Sequence, residues 1–205
     1  MENYANSRTE LLDMKRSEGL LKYILRIFIA SMIGALAFGF LSGIFLSIIN
    51  ASLEGFALGL VAGLIWAVLV FVVILPLDVF TKIKCNLKYG FVDFRLRQQR
   101  TIRIAADYIT ILDTLQKVFQ SQKKMYLRKK DAKRGIIDAE VGRSWRSFGE
   151  RMTVTLNWDQ GSKVFVTVSS RPKISTTMID FSKNFENVEL IIQGIRNRLK
   201  EQESH

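Results

Sequence analysis

Residues 27–49, IFIASMIGALAFGFLSGIFLSII, and residues 56–77, FALGLVAGLIWAVLVFVVILPL, are separated by only NASLEG at 50–55. The two stretches hold 23 and 22 residues, and about 20 apolar residues in helical form are enough to cross the hydrocarbon of a bilayer. From 27 to 77 the one charged side chain is Glu54. Apolar character running all round a helix fits lipid better than a soluble core, which asks for one apolar face; a buried helical pair is the competing reading. A cleavable signal would have a shorter apolar core and would not be followed six residues later by an equal second segment. The connector permits only a tight turn, so the sequence predicts an antiparallel transmembrane hairpin within residues 23–80.

Outward from the hairpin the composition changes sign. Residues 81–205 hold 25 Lys and Arg against 13 Asp and Glu, within a chain of 205 residues and net charge +11. Lys15, Arg16, Lys22 and Arg26 precede the first span, Lys82, Lys84, Lys88, Arg95, Arg97 and Arg100 follow the second, and the connector has no Lys or Arg. Basic flanks stay on the cytoplasmic side. The expected localisation is therefore a multi-pass cell membrane protein, of the inner membrane in a bacterium, with both termini cytoplasmic. One Cys excludes a disulfide framework or a thiolate metal cluster, and the single His, His205, excludes a His-based metal or acid–base site. No phosphate loop, dinucleotide fingerprint or nucleophile elbow is present. No cofactor, metal or catalytic residue is expected. Asp138 and Glu140 alternate on one strand and read as exposed strand charges rather than as a divalent-ion site.

Small residues recur every fourth position within the spans: Ser31, Ala35, Gly39, Gly43 and Ser47 in the first, Gly55, Gly59, Gly63 and Ala67 in the second. Residues four apart share a helix face, and small side chains there let two backbones approach closely. Ala35, Gly39, Gly43, Gly55, Gly59 and Gly63 are thus candidate helix-packing positions, either within the hairpin or against another copy in a homo-oligomer. The spans carry no ionisable residue, which weighs against an ion pathway. Pro76 is read as the end of the second helix. Ser7-Arg8-Thr9-Glu10 has capping-box spacing and predicts a separate interfacial helix within residues 1–22. Residues 81–100 read as a basic juxtamembrane linker suited to anionic head groups, in which Cys85 is a bystander thiol.

Residues 101–200 read as a separate α+β domain, followed by a tail at 201–205. A strand is expected at 101–106, and a helix at 107–120 with apolar steps of three and four. Strands follow at 125–129 and 136–141 around the turn at 131–135, then at 151–158 and 163–170 around Asp159-Gln160-Gly161-Ser162. A last helix is expected at 180–200, with Phe181, Val188, Ile191, Ile192, Ile195 and Leu199 inward. This order, strand-helix-four strands-helix, implies an antiparallel sheet with both helices on its apolar face. The other face would show Thr153, Thr155, Thr167 and Ser169 with Asn157 and Phe165.

Two polar segments stand out. One is Arg143-Ser144-Trp145-Arg146-Ser147-Phe148-Gly149-Glu150; the other runs from Ser170-Arg171 through Asp180, Lys183 and Asn184 to Asn187. Arg143, Trp145, Arg146, Arg171, Lys183 and Asn184 are the candidate contacts for an anion or a partner, with capping by Asp180 and ion pairing to Glu150 or Asp180 as the structural alternative. Over 101–199 the chain resembles small α+β domains of uncharacterised bacterial proteins, including a family of unknown function with a Ser-Arg, then Asp, then Asn-x-x-x-Val-Glu pattern. The matching residues are Ser170, Arg171, Asp180, Asn184, Val188 and Glu189. The resemblance implies a fold and brings no activity. Lys123, Lys124, Arg128, Lys129, Lys130, Lys133 and Arg134 cluster on the first hairpin without a nucleic-acid-binding motif, so no nucleic acid is expected.

These features leave three expectations. The adopted one is a non-enzymatic binding or scaffold module, anchored at the cytoplasmic membrane surface and contacting an unidentified protein or anionic lipid. The others are a homo-oligomeric membrane effector or pore with a ligand-sensing domain, and an enzyme on a lipid or anionic substrate built on Arg146, Arg171 and Asp180.

Overall fold

The computed structural model describes residues 2–50, 52–90, 95–158 and 163–203, with side chains from residue 21 to residue 202. The turn expected at Asp159-Gln160-Gly161-Ser162, the aromatic residues Phe91 and Phe94, and His205 lie outside the described residues. The chain forms two compact units, Met1–Lys84 and Cys85–His205.

The first unit is helical. Helix α1 spans Glu2–Asn50 and α2 spans Glu54–Tyr89. Both contain a segment long and apolar enough to cross a membrane, Leu21–Asn50 and Glu54–Tyr89. No helix begins at Ser7: α1 runs unbroken through residues 7–10. No proline interrupts its first half, so nothing there forces a break. Pro76 likewise does not end α2, which continues thirteen residues beyond it. A proline removes one backbone bond and kinks a helix without stopping it when apolar surroundings favour continued pairing of the rest.

The fourth-position stripes are the buried face of this unit: Ser31, Ala35, Gly39, Gly43, Gly55, Gly59, Gly63 and Ala67 are all buried, while Phe28, Phe45, Leu58 and Leu64 are exposed. The backbones nearly touch where the stripes cross. A Cβ added at Gly59 would lie 2.2 Å from the Gly43 Cα, and one at Gly63 would lie 2.5 Å from the Ala35 carbonyl oxygen. The Ser42 hydroxyl bridges to the Gly59 carbonyl at 3.3 Å, and Phe38 stacks on Trp66 with centroids 5.3 Å apart. The stripes of the two helices therefore face each other within one chain.

The second unit holds a five-stranded antiparallel sheet with strands β1 Gln98–Ile104, β2 Met125–Asp131, β3 Ile136–Val141, β4 Glu150–Trp158 and β5 Val164–Pro172, in the spatial order β1-β5-β4-β3-β2. Helices α3 Tyr108–Ser121 and α4 Lys183–Glu203 complete it. The expected element order is present, with β1 starting three residues earlier and α4 three residues later than expected. Asp107 caps α3, its carboxylate accepting from the Thr110 amide. Alternation places Ile137, Ala139, Met152, Val154, Leu156, Val164, Val166 and Val168 on one face, where they pack with Ile111, Leu115, Val118, Phe119, Ile191, Ile192 and Ile195 of the two helices. Burial of this many branched and aromatic side chains, at roughly 1.5–3 kcal/mol each, holds the layer together.

At one end of the sheet lie Met125, Val141, Glu150, Pro172 and the start of β1 at Gln98, which the register sets opposite or next to one another. Asp131, Ile136, Trp158, Val164 and Ile104 lie at the other. The Glu150 end carries the features that follow.

Candidate functional site

The resemblance motif forms the joint between β5 and α4. The Ser170 hydroxyl donates to Asn184 Oδ1 at 2.7 Å, and the Asn184 amide side chain and backbone N–H both donate to Asp180 Oδ2, at 2.7 and 3.0 Å. All three residues are buried. Asp180 does cap the helix as expected, from three residues ahead of its first turn. It can do so because Phe181 and Ser182 adopt left-handed backbone, φ 46° and 59°, folding the chain back over the helix start. Val188 is in the core, and Glu189 pairs with Arg100. Of the motif residues, Arg171 alone reaches solvent on the opposite face of the sheet.

Three of the six candidate contacts, Arg146, Lys183 and Asn184, make bonds within the unit. Arg146 and Lys183 both bond the Glu186 carboxylate, which their charges hold below the usual glutamate range although burial pushes it up. Asn184 spends its side chain on Ser170 and Asp180. Arg143, Trp145 and Arg171 are exposed. Asp138 accepts from the Thr153 hydroxyl at 2.8 Å, and Glu140 accepts from Lys173 and Arg128, each at 2.9 Å, which holds its pKa below the usual glutamate range. Both acids are therefore engaged within the sheet. Arg146, Arg171 and Asp180 do not converge: Arg146 and Asp180 belong to the α4 side, and Arg171 belongs to the open face.

Beneath that joint sits Glu150, with no exposed surface. Its Oε2 accepts from Asn187 Nδ2 at 3.2 Å, while Glu150 Oε1 and Asn187 Oδ1 have no hydrogen-bond partner. Burial pushes the Glu150 carboxyl above the usual glutamate range, opposed by the nearby Ser147 hydroxyl, the Asn187 amide and the charge of Lys183; Asp180 adds to the rise.

The open face of the sheet gathers what the sequence did not assemble. Arg151 of β4 is directly opposite Arg171 of β5, and the next rows pair Thr153 with Ser169 and Thr155 with Thr167. Gln99 of β1 is opposite Ser169. With Arg97, just ahead of β1, these residues line a cleft of about 240 Å³, and none of its lining side chains is acidic. Glu140, opposite Arg151 on β3, is engaged by Arg128 and Lys173. Like charges directly across a strand pair are destabilising, by up to about 1 kcal/mol. Arginine presents a planar fork of donors that fits carboxylate or phosphate oxygens, and hydroxyls and an amide beside it supply further hydrogen bonds. The arrangement suits a bound anion. Arg151 was legible in principle, since it shares the parity of Thr153 and Thr155; Arg97 was not, because its place depends on the β1–β5 pairing of strands far apart in sequence.

No family model matches the chain, and no curated protein matches it in sequence. Solved structures that resemble it include a START superfamily protein from Mycobacterium smegmatis, 8% identical, covering 52% of this chain and 98% of that one with a TM-score of 0.37. An uncharacterized protein from Bacillus thuringiensis is 9% identical over 50% of this chain and 91% of its own, TM-score 0.32. The Zhui aromatase/cyclase from Streptomyces sp. R1128 is 9% identical over 49% and 84%, TM-score 0.30. With TM-scores below 0.5, none of these assigns a ligand to this chain.

Proposed function

We propose that the protein is a two-helix integral membrane protein that holds a non-enzymatic α+β binding module at the cytoplasmic face of the cell membrane, and that the module takes an anionic group on Arg97, Arg151 and Arg171. The observation that carries the binding half is the direct opposition of Arg151 and Arg171 in a cleft without an acidic lining residue. An anion between them turns a repulsive pair into a chelating one. Two observations support the anchor. Only 17% of each apolar window is buried, where a core helix of a soluble protein is mostly enclosed. The basic residues flank the pair of helices and avoid its connector. Because the small-residue stripes pack on each other within the chain, the anchor needs no second copy to bury them.

The test is calorimetric titration of inorganic pyrophosphate into the full-length protein in non-ionic detergent. Arg151→Ala and Arg171→Ala should each weaken binding about tenfold or more, the loss of one charge-assisted contact, whereas Arg196→Ala on the exposed side of α4 should leave it unchanged. Equal binding by all four proteins, or no binding by any, would remove the cleft as the site. Resistance of the protein in native membranes to alkaline carbonate extraction checks the anchor separately.

A further inference from the structure

The Glu150 end of the sheet exposes large apolar side chains that the described residues leave open. Trp145 is 73% exposed, Phe148 65% and Ile174 42%. Trp145 and Phe148 belong to the β3–β4 loop, and Ile174 follows β5. Tryptophan and phenylalanine left in water at this level call for an explanation, because an exposed apolar patch is informative where a single exposed Leu is not. The patch is set among cations: Arg143 and Lys173 line the same hollow as Phe148 and Ile174, about 300 Å³ in volume, and Arg171 adjoins Ile174 in the next. Of the carboxylates near this end, Glu140 and Glu186 are already held by basic residues, and Glu150 and Asp180 are buried.

The chain enters this unit at the same end. Cys85 and Tyr89 pack on Phe185 in the first turn of α4, with the Tyr89 and Phe185 rings edge to face at 5.9 Å. Phe181, one turn earlier, lies 5.7 Å from Trp145. β1 also begins here, opposite Ser170. The last residue of the second apolar stretch, Leu77, precedes Cys85 by eight residues in the sequence.

We infer that this end of the domain is a bilayer-docking edge: Trp145, Phe148 and Ile174 enter the interfacial region of an anionic membrane while Arg143 and Lys173 contact its head groups. The inference rests on the anchoring proposed above. Amphipathic aromatic rings partition to the head-group level, and basic residues beside them draw the surface to acidic lipid. The tether fixes which membrane is within reach. A short leash raises the effective concentration of the bilayer at this edge, so a patch of three apolar side chains is enough.

The three tryptophans, Trp66, Trp145 and Trp158, provide the experiment. Full-length variants that keep one Trp and carry Phe at the other two are reconstituted in nanodiscs of phosphatidylcholine, with or without phosphatidylglycerol, containing lipids brominated either near the head group or deep in the acyl chains. Trp145 should be quenched by the shallow bromines in phosphatidylglycerol discs and much less in pure phosphatidylcholine. Arg143→Gln should lower the docked-to-undocked ratio about fivefold. Trp158, at the far end of the nine-residue β4, about 27 Å away, should be unquenched in both. Trp66, inside the second apolar helix, should be quenched by the deep bromines regardless of lipid charge. Quenching of Trp66 without quenching of Trp145 overturns the docking edge alone and leaves a protein partner as the occupant of the patch. Absence of Trp66 quenching overturns the anchor itself. Equal Trp145 quenching in both lipids overturns the role given to the basic residues.

Discussion

Glu150→Gln should stabilise the domain at neutral and alkaline pH and lose that advantage in acid. Glu150 and Asn187 are both fully buried and face each other with one hydrogen bond, Asn187 Nδ2 to Glu150 Oε2. The remaining oxygens, Glu150 Oε1 and Asn187 Oδ1, are two acceptors with no donor between them. One proton or one N–H placed on Glu150 would pair them head to tail, as an acid pairs with an amide. A buried polar atom left without a partner costs about 1–3 kcal/mol. Glutamine brings the missing donor permanently and is nearly isosteric, so the gain at pH 8 should be about 1–3 kcal/mol, or roughly 3–5 °C in midpoint per kcal/mol for a unit of this size. The sign follows from linkage. Burial raises the folded-state pKa of Glu150, so the native state holds its proton more tightly than the unfolded chain does. Its contribution is then most favourable below the unfolded glutamate pKa and declines as pH rises through the folded one. The glutamine variant lacks that decline. Thermal unfolding of both full-length proteins in mild detergent, followed by near-UV circular dichroism across pH 4–9, measures the difference; hydrogen exchange at the amides of β4 and α4 localises it. A difference that does not change with pH, or a variant less stable at every pH, refutes the reasoning and shows Glu150 ionised and held by Lys183.

Gly59→Leu should splay the two long helices, because a Cβ there meets the Gly43 backbone at 2.2 Å and neither helix can yield locally; Gly34→Ala, with nothing within 4 Å, should be neutral. Proteolysis of the detergent-solubilised protein at increasing temperature distinguishes them. Arg146→Ala should weaken the acid-side stability of the joint: Glu186 is held below its ordinary pKa by Lys183 and Arg146 against its burial, so it contributes stability above the unfolded glutamate pKa that is lost as pH falls through the folded one. Removing Arg146 brings the acid unfolding midpoint toward neutral pH, and a midpoint unchanged in an acid titration would show Lys183 sufficient alone.

How much of this was legible in the sequence depends on the range over which each property is determined. The apolar helices, the alternation of β4 and β5 and the steps of α3 are local, and they read directly because side-chain period follows secondary structure. What failed was local in appearance and tertiary in cause. Pro76 looks like a terminator, yet α2 passes through it. The Ser7–Glu10 spacing looks like a helix start, yet helix already precedes it. At the site, sequence singled out Arg146, Lys183 and Asn184 by their neighbours along the chain; Asn184 bonds within the β5–α4 joint, and Arg146 and Lys183 both bond Glu186 of α4. The facing of Arg151 and Arg171 requires the register of β4 against β5, and Arg97 requires in addition the pairing of β1 with β5, more than sixty residues away.

That division bears on the function. The side chains that close the joint, Ser170, Asp180 and Asn184, are buried and mutually bonded, so they specify where the β5–α4 connection goes and leave it little freedom. The exposed groups at the same end, Arg97, Arg151, Arg171, Trp145 and Phe148, lie outside the core, and Arg151 and Arg171 stand directly opposite each other. A surface that is unfavourable for the isolated chain is retained at low cost only when something outside the chain compensates it. Here the compensation asked for is negative charge beside an apolar phase, at the end where the chain enters the domain from two helices able to span a bilayer. On the docking proposed above, an anionic interface would supply both requirements in one partner, whereas a soluble anion would leave Trp145 and Phe148 exposed and an uncharged apolar partner would leave Arg151 facing Arg171.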